Sequence, residues 1–160
     1  MKLYRFGSNP LRPPDEEFNG QGGVLFGGRW HNRGKPAVYA STSEPLALLE
    51  KLVHNRSRSS RLMYPLYVAD VPDSLVEEVP ASSLPHDWRS VYPPNSTQRL
   101  GHDWLISLSA VGLLVPSLLI SGIDPTVKNC LINPIHPEFK HAPIVGPVLL
   151  AVDSRFNLLA

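Results

Sequence analysis

Proline sets the first limit on this fold. Of the 160 residues, 17 are proline, about twice the ordinary share of roughly 5%. Each one fixes φ and removes a backbone donor, which breaks a helix past its first turn and weakens a strand ladder. Short elements joined by pinned turns should follow, with few long helices. The length fits a single domain around one core. No internal repeat, low-complexity tract or linker divides residues 1–160.

Charge and cysteine content narrow the function classes. Fifteen Lys plus Arg against 14 Asp plus Glu give a net charge of +1, so neither a nucleic-acid arm nor a membrane-surface patch is expected, and any basic site is local. One cysteine, Cys130, excludes an internal disulfide framework and a CxxC zinc site, and points to the reducing cytoplasm. Residues 1–14 carry Lys2, Arg5 and Arg12 without an apolar run, unlike a signal peptide. Residues 104–123 are uncharged and long enough to span a bilayer. Ser107, Ser109, Gly112, Pro116 and Ser121 interrupt that stretch, and Asp103 and Asp124 flank it, which fits two buried segments meeting near Gly112.

Along the chain, residues 3–6 read as a strand, 9–15 as a proline-rich loop, and 20–28 as a run with five glycines that lets backbone approach a ligand. Residues 28–31 and 37–40 read as a hairpin closed by a turn at 32–36. Ser43 or Thr42 caps a helix that contains Pro45 in its first turn and runs to His54. Residues 56–61 read as a solvated basic loop and 64–71 as a strand. Residues 72–95 read as irregular with a helical turn around Trp88, 98–107 as a helix, 113–120 as a strand and 148–153 as the last strand.

Several familiar chemistries fail on spacing. Residues 20–25, GQGGVL, lack the third glycine of a dinucleotide loop, and no Walker lysine, HExxH or GxSxG is present. Cys130, His136 and His141 are candidate metal ligands, yet Pro134, Pro137 and Pro143 break the segment and no fourth ligand follows, so no metal is expected.

Glu50 is the most informative residue. The spacing 46, 49, 50, 53 sets it beside Leu46, Leu49 and Val53 in an apolar stripe. A carboxylate there needs a partner, and two readings stand: a buried ion pair with a nearby arginine, or a catalytic group. Arg29 is either a surface arginine stacked on indole or a planar fork for a diphosphate beside the glycines. Tyr39, in mid-strand, is packing or function. Ser117 shares a strand face with Val115 and Leu119, where a serine tolerated in a core competes with a functional one; no histidine near in sequence would activate it.

These residues, taken in order, strongly resemble the RES domain family. The matching blocks are Tyr4-Arg5, Gly27-Gly28-Arg29-Trp30, Gly34-x-Pro36, Val38-Tyr39-Ala40-Ser41, Leu46-Ala47-x-Leu49-Glu50, Leu52-Val53-His54, Val115-Pro116-Ser117, Asn129, Ile132-Asn133-Pro134-x-His136-Pro137 and Asp153-x-Arg155. The resemblance spans about residues 3–156, and His31 stands where many of the family carry Asn. The family takes its name from an Arg, a Glu and a Ser, which fall on Arg29, Glu50 and Ser117.

The resemblance implies a mixed α/β domain like that of ADP-ribosyltransferases, with a central cleft between sheets. It implies a toxin of a Res–Xre toxin–antitoxin pair that depletes NAD+ by breaking the nicotinamide–ribose bond, with water or phosphate as acceptor. Glu50 would stabilise the cationic ribose or orient a hydroxyl or water, Arg29 with help from Arg5 would hold the diphosphate, and Tyr39 would stack on nicotinamide or ribose. Ser117 would hydrogen-bond the nicotinamide-side ribose or amide, with Asn129 supporting from behind. NAD+ enters as substrate; no cofactor is implied. The partner would be an Xre-type helix-turn-helix antitoxin, with no direct nucleic-acid contact and a homodimer left open. Transfer of ADP-ribose to a protein or small molecule, and a catalytically silent ligand-binding module, are the alternatives.

Overall fold

A computed structural model describes residues 1–54, 63–120 and 124–153. Strand β1 (Lys2–Phe6) is followed by two short helices, α1 (Pro14–Glu17) and α2 (Gln21–Leu25), then β2 (Val38–Ser41), α3 (Glu44–His54) and β3 (Met63–Asp70). Next come β4 (Val76–Glu78), α4 (Asn95–Ser107), β5 (Gly112–Val115), β6 (Asn129–Ile132) and β7 (Ile144–Ala151). The basic loop at 56–61 and Arg155 lie outside the described residues.

The mixed α/β class holds, but the expected cleft between sheets does not: hydrogen bonding joins the seven strands of the described residues into one sheet of order β4-β5-β6-β2-β1-β3-β7. Only β4 and β5 run parallel; the other neighbours are antiparallel. Period-2 alternation divides the side chains between two faces. One face carries a continuous apolar cluster that includes Leu3, Val38, Ala40, Tyr67, Ala69, Leu114, Cys130 and Ile132. The opposite face carries two clusters. Leu113, Val115 and Leu131 pack there with Trp30, Trp104 and Leu105, under α4, and Phe6, Tyr64 and Leu66 pack with Ala47 of α3. Between the two clusters the face turns polar, at Ser41 and Asn129, which are direct cross-strand partners.

Local structure departs from the sequence expectations where tertiary contacts decide. The expected hairpin is absent: residues 28–31 close on themselves through a bridge between Gly28 and His31, and β2 pairs with β1 and β6 instead. The glycine run folds partly into α2, where Gly20 sits at φ +74° and Gly23 lies against Ala37; a Cβ on Gly23 would stand 2.7 Å from the Ala37 nitrogen. These glycines serve close packing of the chain on itself. The strand expected at 113–120 ends at Val115, because Pro116 cannot continue the ladder. Helix α4 begins three residues earlier than expected, at Asn95, and β7 four residues earlier, at Ile144. Within 72–95 a short strand, β4, is added, while the turn at Trp88 forms with its N–H donating to the Pro85 carbonyl at 3.0 Å. Among the described residues no helix is long and apolar enough to cross a membrane.

Helix α4 is fixed to the 28–31 loop at Gly101. A Cβ there would fall on the Trp30 carbonyl oxygen, far inside van der Waals contact. Gly→Ala in a helix ordinarily adds about 1 kcal/mol of stability. Here a backbone clash opposes it, so Gly101→Ala should instead destabilise by about 2–3 kcal/mol, read as a lower urea midpoint. An unchanged or raised midpoint would refute this packing.

Candidate active site

Glu50 reaches the polar stretch from α3. The helix starts where the Ser43 hydroxyl accepts from the Leu46 N–H at 3.4 Å, as an N-cap does. Its buried residues are Leu46 and Ala47, whereas Val53 is 58% exposed. The stripe inferred from 46, 49, 50 and 53 is therefore not the buried one, and Glu50 is half-buried at its edge. Its Oε1 accepts from the Ser117 hydroxyl at 2.8 Å and from the Asn129 Nδ2 at 2.6 Å. Asn129 Oδ1 in turn accepts from the Ser41 hydroxyl at 2.8 Å. Among the described residues Glu50 forms no ion pair, and its partners are a hydroxyl and an amide.

Ser117 lies two residues beyond β5, not on a strand face, and is buried. Pro116 turns the chain out of the sheet, and the Ser117 oxygen accepts from the Leu119 N–H at 3.0 Å while its proton goes to Glu50. The hydroxyl is thus held by two fixed partners.

Arg29 is placed by the loop that α4 clamps. Thr97 Oγ1 donates to the Arg29 carbonyl at 2.6 Å, and Gln98 Nε2 donates to the Gly28 carbonyl at 3.0 Å. The guanidinium donates to the carbonyls of Trp88 at 2.9 Å and Val91 at 3.2 Å. Partial burial lowers its pKa, opposed by the negative charge of Glu50, which lies within electrostatic reach of the cation.

Tyr39 locks the same loop. Its hydroxyl accepts from the Trp30 N–H at 3.0 Å and lies 3.0 Å from His31 Nδ1. His31 is buried, and desolvation lowers its pKa. Its Nε2 faces the Gly23 carbonyl at 3.3 Å, which only accepts. The neutral ring therefore carries its proton on Nε2, and Tyr39 donates to Nδ1. Burial also raises the Tyr39 pKa, so the phenol stays protonated.

Arg5 is not joined to the Glu50 group. Its Nε donates to Glu17 at 2.9 Å and its Nη1 to the Tyr39 carbonyl at 2.9 Å. Glu17 is 5% exposed and also meets Arg12 at 3.5 Å. This is the buried ion pair that the sequence reading sought at Glu50. The reading missed Glu17, Ser41, Thr97 and Gln98. Position in a four-residue helix hid Glu17, and the other three are common polar residues whose partners lie far along the chain. Cys130, His136 and His141 are not assembled either. The Cys130 thiol is buried, which raises its pKa to about 12, and His136 Nδ1 accepts from the Glu138 N–H. Among the described residues no group of three or more His, Cys, Asp or Glu could hold a metal ion.

The RES domain family model matches residues 2–155. A protein named Toxin Res from Yersinia enterocolitica is 37% identical over 158 residues, covering 98% of this chain and 100% of the relative. Another Toxin Res, from Photorhabdus laumondii, is 34% identical over 97% of this chain and 96% of its own. A protein named Prs ADP-ribosylating toxin, from a Sphingobium species, is 34% identical over 86% of this chain and 85% of its own. Among solved structures, a chain of the M. tuberculosis MbcT-MbcA toxin-antitoxin complex superposes with a TM-score of 0.70, covering 99% of this chain and 87% of that one at 18% identity. That likeness shows a shared fold.

The buried, neutral His31 makes a stability prediction. Its folded pKa lies below the unfolded value of about 6.5. Below that pH the unfolded chain takes a proton that the native state resists. Stability should therefore be intact above about pH 6.5 and fall as pH drops toward the folded pKa, by up to about 1.4 kcal/mol per pH unit. Urea unfolding at pH 7.5 and 5.5 should show a larger loss for the parent than for His31→Gln. Equal losses would contradict a buried neutral ring.

Proposed function

The chain belongs to the RES domain family, and we propose that it is the toxin of a toxin–antitoxin pair that depletes NAD+ by cleaving the nicotinamide–ribose bond. The family match and the relatives named Toxin Res support the first half of that reading. The observation that carries the second is the state of Glu50, a half-buried carboxylate held by a hydroxyl and an amide, with Arg29 in electrostatic reach.

Breaking the bond to an already cationic nicotinamide leaves positive charge on the ribose carbon. A carboxylate with neutral partners keeps most of its field for that charge, and can orient a ribose hydroxyl or the acceptor. Arg29 would hold the diphosphate. Its fork now rests on two backbone carbonyls, and a dianionic ligand is the stronger acceptor. Ser117 would share its hydroxyl with the nicotinamide-side ribose or amide. The Tyr39 ring would contribute a stacking wall, since its hydroxyl is occupied by Trp30 and His31. Asn129 would hold Glu50 from behind, and Arg5 would act through the Tyr39 carbonyl rather than on the diphosphate. NAD+ would be the substrate, with no further cofactor.

The acceptor separates two readings. Water or phosphate gives a glycohydrolase or phosphorylase. ADP-ribosyl transfer to another molecule is favoured by the relative named as an ADP-ribosylating toxin. Incubation with NAD+ labelled in the adenylate half, with and without phosphate and with cell extract, separates free products from labelled protein. A cytoplasmic antitoxin, Xre-type by the family resemblance, would neutralise the site by covering Arg29 with a carboxyl-bearing segment.

Glu50→Gln keeps shape and hydrogen bonding but removes the charge, so kcat for NAD+ loss should fall about 10²–10³-fold. Expressed alone, the parent should arrest growth and the variant should not. A Glu50→Gln protein that drains NAD+ like the parent would remove Glu50 from the chemistry. Arg29→Ala should lower kcat/KM at least about tenfold, on the order of 1.5–3 kcal/mol, and an unchanged value in a folded variant would take Arg29 out of the substrate site.

A further inference from the structure

We propose that Ser41 is a positioning residue for the reaction, acting through Asn129 to hold the Glu50 carboxylate in a fixed orientation toward the substrate. The inference rests on the reading of Glu50 as the charge-stabilising group, and it adds a residue for which no role follows from that reading.

Donors and acceptors fix the arrangement. A carboxylate only accepts, so the group of Asn129 that lies 2.6 Å from Glu50 Oε1 is the Nδ2 amide. The amide oxygen then points the other way, at Ser41, whose hydroxyl must donate across 2.8 Å. Turning the amide over would set its oxygen against the carboxylate, so Glu50 fixes the amide orientation. The Ser41 hydroxyl, which can donate or accept, then donates to the amide oxygen, anchors it to the end of β2 and polarises the N–H that Glu50 receives.

The frame behind this relay is rigid. Ser41 is 2% exposed and ends β2 directly opposite Asn129, which starts β6 and faces Val115 at the end of β5. Thr42, next in sequence, donates its backbone N–H to the Lys128 carbonyl at 2.9 Å and its hydroxyl to the Thr126 carbonyl at 2.7 Å. The two segments are thus pinned beyond the Ser41–Asn129 pair by Thr42 and before it by the β2–β6 ladder. Asn129 and Ser117 both donate to Oε1. The other oxygen would then face the ribose. Without the Ser41 donor the amide is free to rock, and Oε1 loses its fixed anchor before it loses any contact with substrate.

A positioning role separates kcat from KM. In Ser41→Ala, kcat for NAD+ cleavage should fall about tenfold with KM within about twofold. Ser41→Cys, nearly the same size but a weak donor, should behave alike, while Ser41→Thr, which keeps the hydroxyl, should recover most of kcat. Parental kcat in the alanine and cysteine variants would overturn the proposal, as would a threonine variant that folds like the parent yet stays as slow as alanine.

If the parent protein does not cleave NAD+, the functional reading fails and the relay is judged by the Asn129 side-chain amide resonances. Both Ser41→Ala and Glu50→Gln should shift them. A Ser41→Ala spectrum with those resonances in place would overturn the relay whatever the activity.

Discussion

Glu17 and Glu50 are both drawn out of water, and the difference between their partners organises the molecule. Glu17 is almost fully buried and answered by two guanidiniums, Arg5 and Arg12. Its charge is neutralised locally, which ties β1 to the loop before α1 and leaves little field for anything else. Glu50 is half-buried and answered by a hydroxyl and an amide. Dipoles offset part of its desolvation without cancelling its charge. Such a group is costly to keep in a fold. It is useful where a positive charge must be met.

The sheet supplies what Glu50 needs by leaving one gap in its apolar covering. Cluster residues under α4 and under α3 occupy the same face, and the row between them is Ser41, Asn129 and the chain beyond Val115. Arg29 reaches the same region from a loop with no regular structure of its own. It can be held there because α4 clamps the loop from one side, through Thr97, Gln98 and the bare Cα of Gly101. The neutral Tyr39–His31 pair holds it from another, through the Trp30 N–H and the Gly23 carbonyl. The irregular segment around Trp88 and Val91 takes part too, since its carbonyls receive the Arg29 fork. Loops stabilised on several sides by buried polar contacts are the usual carriers of binding residues.

The sequence made some of this legible. The Ser43 cap and the proline behind it mark α3, and a glutamate set among leucines marks Glu50 as needing an explanation. The short run at 3–6 and the period-2 run at 64–71 locate β1 and β3. Other features could not be read locally. The false hairpin at 28–31 and 37–40 has good turn chemistry, yet β2 gains more by pairing on both sides with β1 and β6 in mid-sheet. The apolar run after Val115 looks like one strand until Pro116 is given its full weight, and only then does Ser117 move off the strand and under Glu50. Arg5 carries a motif signature that reads as ligand binding, but its partner Glu17 sits in one helical turn where periodicity has nothing to act on.

The site is also non-local in a way that bears on when it exists. Its three defining hydrogen bonds join residues 67, 79 and 88 positions apart. The two that involve Asn129 cannot form before β6 has taken its place between β5 and β2, and β6 is also the strand that joins β5, and the chain leading to Ser117, to β2. Contacts of this range are late and cooperative in folding, because loop closure must precede the bonds that reward it. A chain emerging from synthesis therefore holds Arg29 and Glu50 long before it holds Asn129, and the carboxylate gains its anchor only once the centre of the sheet is complete.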